Sequence, residues 1–495
     1  MLSLYLPTAL AFTPAQPEIA DRYRCAACSA HDELGTDVCG VIGTCRFTVE
    51  GECETACPGV APVATAAASP VQLRVAKGFG TKPYGTLRVS AITAAGEPAP
   101  FDGATYSEAF KYKWKHNALH SSVLSTPTGS KFSFPLQLHG NVSSTSLFVP
   151  KQGAGVAGVL IADPCVSGSK VGCAFEKRFK TTDRTMELVD SFAKHDDVSF
   201  WGILGDMNFY DQTGDMSARE YAKLSLATQS KITLHVPGNH DYWVMGSPAL
   251  GTRSDQYANG FMQWYAQDTR AGRADLPSGA PGANASAMPF DFSSDPSKGH
   301  GVFGGSLPAI DNSFFYNQVG NVGFIGYSGA YKYDELMALM TEACAWLPTQ
   351  PGLELAVLLG HWDTAGLGAT SKTAAPGLYD HVKGLPGCAA LDVKRQLKFV
   401  MGHTHCNVPH PHGHVDTGFM VAGMGMQPSA GVCPSNSNYG IPVLDTTGGR
   451  VQLWYFPVVA ENKTDTYDAV HDCVSGKGWR KCTHLAVSWL DQPLA

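Results

Sequence analysis

The chain is poor in charge. Only 16% of its 495 residues are Asp, Glu, Lys or Arg, against the ~25% usual in globular proteins, so neither a highly charged disordered chain nor a coiled coil fits. There is no basic excess: 36 basic residues face 43 acidic ones, a formal net charge of -7, which leaves no broad field for nucleic acid or an anionic membrane. Any bound anion must be held locally. No run of 18 apolar residues occurs, so no membrane span is expected. A Gly-x-Ser-x-Gly elbow and a P-loop are also missing, which disfavours a serine hydrolase and a P-loop nucleotide-binding protein. What is abundant is hydrophobic residues, at 44% enough for a sizeable core, and 53 glycines with 31 prolines, which predict many turns between short elements.

Cysteine is plentiful at 14, and Cys25, Cys28, Cys39, Cys45, Cys53 and Cys57 crowd into the segment 21–60. Disulfides in an oxidising compartment are expected there. A zinc site is the alternative, since Cys25-Ala-Ala-Cys28 has ligand spacing, but no second Cys-x-x-Cys and no histidine pair follow. Asn141, Asn284 and Asn462 head glycosylation acceptor triplets. Residues 1–20 resemble the end of a signal peptide, without a basic leading segment. A secreted or lumenal protein is expected, whether extracellular, vacuolar or lysosome-like.

After a small-residue linker at 61–70, β-prone pieces at 85–92, 110–114 and 144–149 predict a small β domain over 71–151. The pattern changes at Val156. An apolar run at 156–162, a helical face of Met186, Val189, Phe192 and Ala193, and a second run at 198–204 make a βαβ unit. A helix over 217–229, a strand at 232–236, a Gly, Ser and Pro-rich insertion over roughly 246–312, and strands at 322–327, 355–359, 397–400, 419–422 and 451–456 follow. An α/β catalytic domain over 155–460 is expected, with a tail at 461–495 clipped back by Cys473 and Cys482.

Five of these strand-like runs end in metal-ligand side chains: Asp163, then Gly205-Asp206, then Gly238-Asn239-His240-Asp241, then Gly360-His361, and finally Gly402-His403-Thr404-His405. Open α/β sheets bind ligands at the carboxyl ends of strands. Carboxylate, amide oxygen and imidazole together suit borderline metals such as Zn, Fe and Mn. His403 and His405 at i, i+2 point to the same side of an extended chain, where two neighbouring ions could share them. The loop His410-Pro-His412-Gly-His414 places three alternating histidines after this block, within reach of a substrate phosphate or merely beside the site.

These blocks, in this order, resemble the calcineurin-like metallophosphoesterase superfamily, and the resemblance covers about 155–460. It implies a four-layer α/β/β/α sandwich. Asp163 and His405 would bind a first metal, Asp206 would bridge, and Asn239, His361 and His403 would bind a second. His240 would act outside the metal shell on the pentacoordinate state or leaving group. Read from position alone, Asp241 beside it orients His240 or its own turn, and Trp362 and Asp363 line the cleft, with packing the alternative for each. Many members carry Asp-x-His in the first block, whereas Asp163-Pro164-Cys165 has cysteine there. The purple acid phosphatases also lack that histidine and supply a tyrosine, three residues after the bridging aspartate in the tartrate-resistant type. Tyr210 lies four after Asp206 and is the candidate ligand. Cys165 is either a thiolate ligand or the partner of Cys173.

The implied activity is phosphomonoester hydrolysis of acid-phosphatase type, with two metal ions (Fe, Zn or Mn) and attack by a metal-bound hydroxide. A sphingomyelinase-like phosphodiesterase and a non-catalytic binding protein on the same scaffold are the competing readings. The expected partner is a phosphate ester, with nothing to say what the Cys-rich segment binds.

Overall fold

The computed structural model describes most of residues 72–494; the longer stretches outside the described residues are 1–71, 110–116, 167–172, 174–179, 208–219, 250–264, 271–306, 428–432, 434–438 and 460–463. The Cys-rich segment, the strand expected at 110–114, Tyr210, His412 and most of the insertion fall outside the described residues. Contacts divide the chain into Met1–Ala66 and Ala67–Ala495, and every described strand and helix belongs to the second unit.

Among the described residues, eighteen strands run in chain order: β1 (Gln72–Ala76), β2 (Thr86–Ala94), β3 (Tyr106–Ala109), β4 (Asn117–Ser125), β5 (Lys131–Leu138), β6 (Asn141–Phe148), β7 (Ala157–Ile161), β8 (Phe200–Ile203), β9 (Ile232–Thr233), β10 (Phe315–Val319), β11 (Val322–Gly326), β12 (Leu355–Leu359), β13 (Leu397–Met401), β14 (Asn407–Pro409), β15 (Gly418–Val421), β16 (Gly440–Asp445), β17 (Arg450–Pro457) and β18 (Val487–Pro493). They form a ten-stranded sheet of order β18-β17-β16-β7-β8-β9-β1-β2-β4-β3, a six-stranded sheet of order β10-β11-β12-β13-β15-β14, and the hairpin β5-β6. The centre of each sheet is parallel: β7, β8, β9 and β1 in the larger, β11, β12, β13 and β15 in the smaller.

Alternation along the central strands explains the layering. In β7, Ala157, Val159 and Ile161 enter one apolar cluster, while Leu160 enters another with Val357 and Val400 of the second sheet. In β12, Ala356 and Leu358 face the first cluster and Leu355, Val357 and Leu359 the second. Both faces of these strands are buried, which is why the sequence reads as continuous apolar runs. Phe200 of β8 meets Phe324 of β11 edge-on at 5.0 Å between the sheets. The outer faces are covered by helices: Met186, Leu188, Val189 and Phe192 of α1 (Thr181–Ala193), and Leu336, Met340 and Ala343 of a second helix (Tyr333–Trp346). The order is helix, sheet, sheet, helix, as the resemblance implies.

Three expectations change. The segment 71–151 is rich in strands, but β1 pairs with β9, and through it β2, β4 and β3 extend the ten-stranded sheet instead of forming a separate one. The helix expected over 217–229 is interrupted: a turn of helix ends at 222 and a new one, Leu226–Gln229, begins after Ser225. Ser225 adopts ψ 155° and caps that helix through Thr228 N–H, while Asp190 accepts from its N–H and its hydroxyl. The tail is not clipped to the core by its cysteines, since Cys473–Cys482 is a bridge within the tail; β18, paired with β17, makes the attachment. The other disulfides among the described residues are Cys165–Cys173, Cys344–Cys388 and Cys406–Cys433. No helix among the described residues is long and apolar enough to cross a membrane.

Candidate metal centre

Asp163, Asp206, Asn239, His361, His403 and His405 come together at the carboxyl ends of β7, β8, β9, β12 and β13. The turns that deliver them are unusual. Asp163, Asp206, His403 and His405 have φ of 54°, 57°, 71° and 58°, a region that non-glycine residues rarely occupy. Such conformations persist where the surroundings over-determine them, commonly at functional sites. Two glycines make room: a Cβ on Gly205 (φ +92°) would lie 2.3 Å from His361 Nδ1, and one on Gly238 would lie 2.3 Å from Asp206 Oδ1.

One ligand atom from each of Asp206, His361 and His403 lies within 4.8 Å of the others, and so does one from each of Asp163, Asp206 and His405. Asp206 is common to both groups. In the first-named group His361 Nδ1 donates to the Leu204 carbonyl at 2.8 Å, which leaves Nε2 facing inward. That Nε2 is 2.9 Å from Asn239 Oδ1, 3.3 Å from Asp206 Oδ2 and 3.2 Å from His403 Nδ1. His403 Nδ1 is in turn 2.9 Å from Asn239 Oδ1. Asn239 is oriented by its Nδ2, which donates to the Gly246 carbonyl at 2.9 Å. At the other group, His405 Nε2 lies 3.3 Å from Asp163 Oδ1 while its Nδ1 donates to the Gln427 carbonyl. Asp163 Oδ2 accepts from His403 N–H at 2.8 Å, whereas the fully buried Oδ1 has no well-formed hydrogen bond.

Burial and neighbouring charges perturb these groups strongly. Burial disfavours a charge on His361, yet the carboxylates of Asp206 and Asp163 outweigh it and raise its pKa to about 10. Burial and the neighbouring His361 hold His403 down, at about 3. Burial opposes ionisation of Asp206, but His361 and His240 pull its carboxyl well below the ordinary range. Asp163 is raised by burial, and His405 is raised by Asp163 although burial opposes it. A neutral His361 whose Nδ1 is committed to Leu204 would set a lone pair at Nε2 against those of Asn239 and Asp206. A buried proton or a metal ion relieves that conflict, and the mixed carboxylate, amide and imidazole donors fit borderline divalent or trivalent ions.

Asp241 also belongs to the site. Its Oδ2 accepts from both Asp206 N–H and Gly238 N–H at 2.8 Å, so its carboxylate ties the second and third blocks together. His240, in the short helix Asn239–Tyr242, is half-buried and donates its N–H to Asp206 Oδ1 at 2.8 Å. Trp362 is buried with its ring perpendicular to His361, and Asp363 Oδ1 lies 3.8 Å from His403 Nε2. Cys165 is bonded to Cys173 and offers no thiolate. Tyr210 lies outside the described residues.

His410 and His414 of the histidine loop do not approach the site. β14 runs back from the ligand end, so that His410 N–H bonds the Gly418 carbonyl level with Phe399, and His410 and His414 pack on Phe399. These two histidines therefore serve packing. The carbonyls of Leu204, Gly246 and Gln427, which aim three of the ligands, had no signal in the sequence because a backbone acceptor carries no residue identity.

No protein-family model matches the chain, and no curated protein matches it. Solved structures do. A purple acid phosphatase from yellow lupin (Lupinus luteus) seeds is 14% identical at a TM-score of 0.48, over 80% of this chain and 74% of the other. PhoD is 10% identical at a TM-score of 0.45, over 80% and 87%. A third, GAP50 of Plasmodium, described as the anchor in the inner membrane complex, is 11% identical at a TM-score of 0.30, over 61% and 85%.

Proposed function

We propose that the chain is a two-metal phosphoesterase that hydrolyses phosphate monoesters, in the manner of an acid phosphatase. The observation that carries this reading is the sharing of Asp206 between two ligand groups. A shared carboxylate is what holds two ions close enough to act on one phosphate. Asp163, Asp206 and His405 would hold the first ion, with Tyr210 as a further candidate, and Asp206, Asn239, His361 and His403 the second. Bound there, such a pair supplies Lewis acidity toward the phosphate oxygens and lowers the pKa of water.

The chain's own residues supply the rest. Leu204, Gly246 and Gln427 fix ligand orientations, and Asp241 fixes the turn that presents Asp206 and Asn239. Bonded through its N–H to Asp206, His240 sits at the edge of the second ligand group, and its imidazole is the group proposed to give a proton to the departing alkoxide. Secretion or residence in a lumen is proposed with this activity, in keeping with the four disulfides among the described residues.

The test is hydrolysis of an aryl phosphate by the purified protein, beside an aryl phosphodiester. Monoester turnover that is abolished by chelation and falls by at least about 10³-fold in Asp206→Asn is expected. Turnover indifferent to both would overturn the reading, and preference for the diester would transfer it to the phosphodiesterases.

A further inference from the structure

Among the described residues, two of the four disulfides stand beside metal ligands, and both stand beside the same ion's ligands. Cys165 follows Asp163 by two residues and Cys406 follows His405 by one. Both bridges are tied to one stretch of backbone, residues 422–427. Cys165 N–H donates to the Met424 carbonyl at 3.1 Å, Cys173 forms a β-bridge with Met426, and Gln427 supplies the carbonyl that receives His405 Nδ1–H. Gly425 packs so closely that a Cβ there would lie 3.2 Å from Cys165 Cβ. The carbonyl of Cys406, which is bonded to Cys433, accepts from Ala422 N–H at 3.0 Å, and Asn407 beside it clamps Gly423 through both its amide nitrogen and its oxygen. The second ligand group is built differently. His361 is held by the Leu204 carbonyl and Asn239 by the Gly246 carbonyl, with no cysteine next to either in sequence; His403 is the member of this group that lies near a bridge, three residues before Cys406, and its N–H is held by Asp163 Oδ2.

We propose that Cys165–Cys173 and Cys406–Cys433 are positioning elements for the first ion alone, so that their reduction empties the Asp163–His405 site while the Asn239–His361–His403 site keeps its ion. This rests on the two-metal reading above and deepens it. A dithiol delivers two electrons and two protons to each bridge and becomes a cyclic disulfide, leaving two thiols on the protein. Asp163 and His405 remain, but the backbone that aims His405 loses its covalently braced neighbours. The enzyme would then be sensitive to the thiol balance of its compartment through one ion of the pair.

The experiment counts zinc bound after dialysis, by elemental analysis, in the whole protein before and after dithiothreitol and alkylation. Untreated protein is expected to hold about two ions per chain and reduced protein about one. His361→Ala, left with the first site, is expected to lose its ion on reduction, and His405→Ala, left with the second, to keep it. Circular dichroism reports whether the fold survives. Should reduction unfold the chain, the Cys406→Ser/Cys433→Ser double variant gives the same comparison with the other bridges intact, and Cys473→Ser/Cys482→Ser is the control expected to keep both ions. Loss of both ions together, or retention of both, overturns the proposal. Fewer than two ions in the untreated protein sinks the two-metal reading itself, and this inference with it.

Discussion

Asp241 illustrates how much of this site is held through backbone amides. Its carboxylate receives two backbone amides from two different blocks. Asp241→Ala is expected to leave both buried donors without partners, costing about 1–3 kcal/mol for each in stability and lowering zinc stoichiometry; urea unfolding and elemental analysis check both. His235 gives a different residue-scale expectation. It is buried between Trp201 and Tyr265, its Nδ1 accepts from Ile203 N–H, and burial together with Arg74 holds its pKa well below the ordinary value. The folded state keeps this imidazole neutral, so only the unfolded chain takes up the proton as pH drops below about 6.5. Stability attributable to His235 is therefore present above that pH and declines below it. Replacing it with Phe is expected to cost about 1–3 kcal/mol at pH 7 and to flatten the decline between about pH 6.5 and 5, read from urea midpoints across that range. The residue types at the site were legible in the sequence because carboxylates and imidazoles after apolar runs are rare signals. The work of Asp241 was visible only as a choice between orienting His240 and its own turn, since hydrogen-bond partners 35 residues apart leave no local trace.

At the scale of elements, the parallel strands were legible and their neighbours were not. Continuous apolar runs at β7, β12 and β13 marked strands buried on both faces, and they were found within a residue or two. What the runs did not encode was which sheet each joined. Nothing local in 72–76 says that β1 will lie beside β9, and a segment with its own turns reads as its own domain. For His410 and His414 the sequence left open whether they reach the site: their distance from Gly402-His403 along the chain is short, but a hairpin reverses it. Between the sheets, Phe200 and Phe324 carry a checkable load. Phe200→Ala is expected to destabilise by about 3–5 kcal/mol, and a double-mutant cycle with Phe324→Ala is expected to show a coupling of about 0.5–1.5 kcal/mol beyond the area lost. Additivity of the two changes in unfolding free energy would mean the rings do not pack as described.

Across the whole molecule, ion binding at this site would be linked to folding, because the candidate ligands come from five separate strand ends. Anything that binds only the folded arrangement stabilises it by about 2.7 kcal/mol at 100 times its dissociation constant. Chelation is thus expected to lower the thermal midpoint of the protein. The same treatment of a His361→Ala/His405→Ala variant is expected to change it far less, which differential scanning calorimetry can compare. The larger sheet adds a consequence of its own. β1 at residues 72–76 waits for β9 at 232–233, and β7 at 157–161 waits for β16 at 440–445. During synthesis the early strands leave the ribosome well before the partners that cover their open sides exist. Such long-range pairing makes for slow assembly and a nascent chain with sticky edges, so the conditions under which the chain folds govern how much folded protein accumulates as strongly as the stability of the finished molecule does.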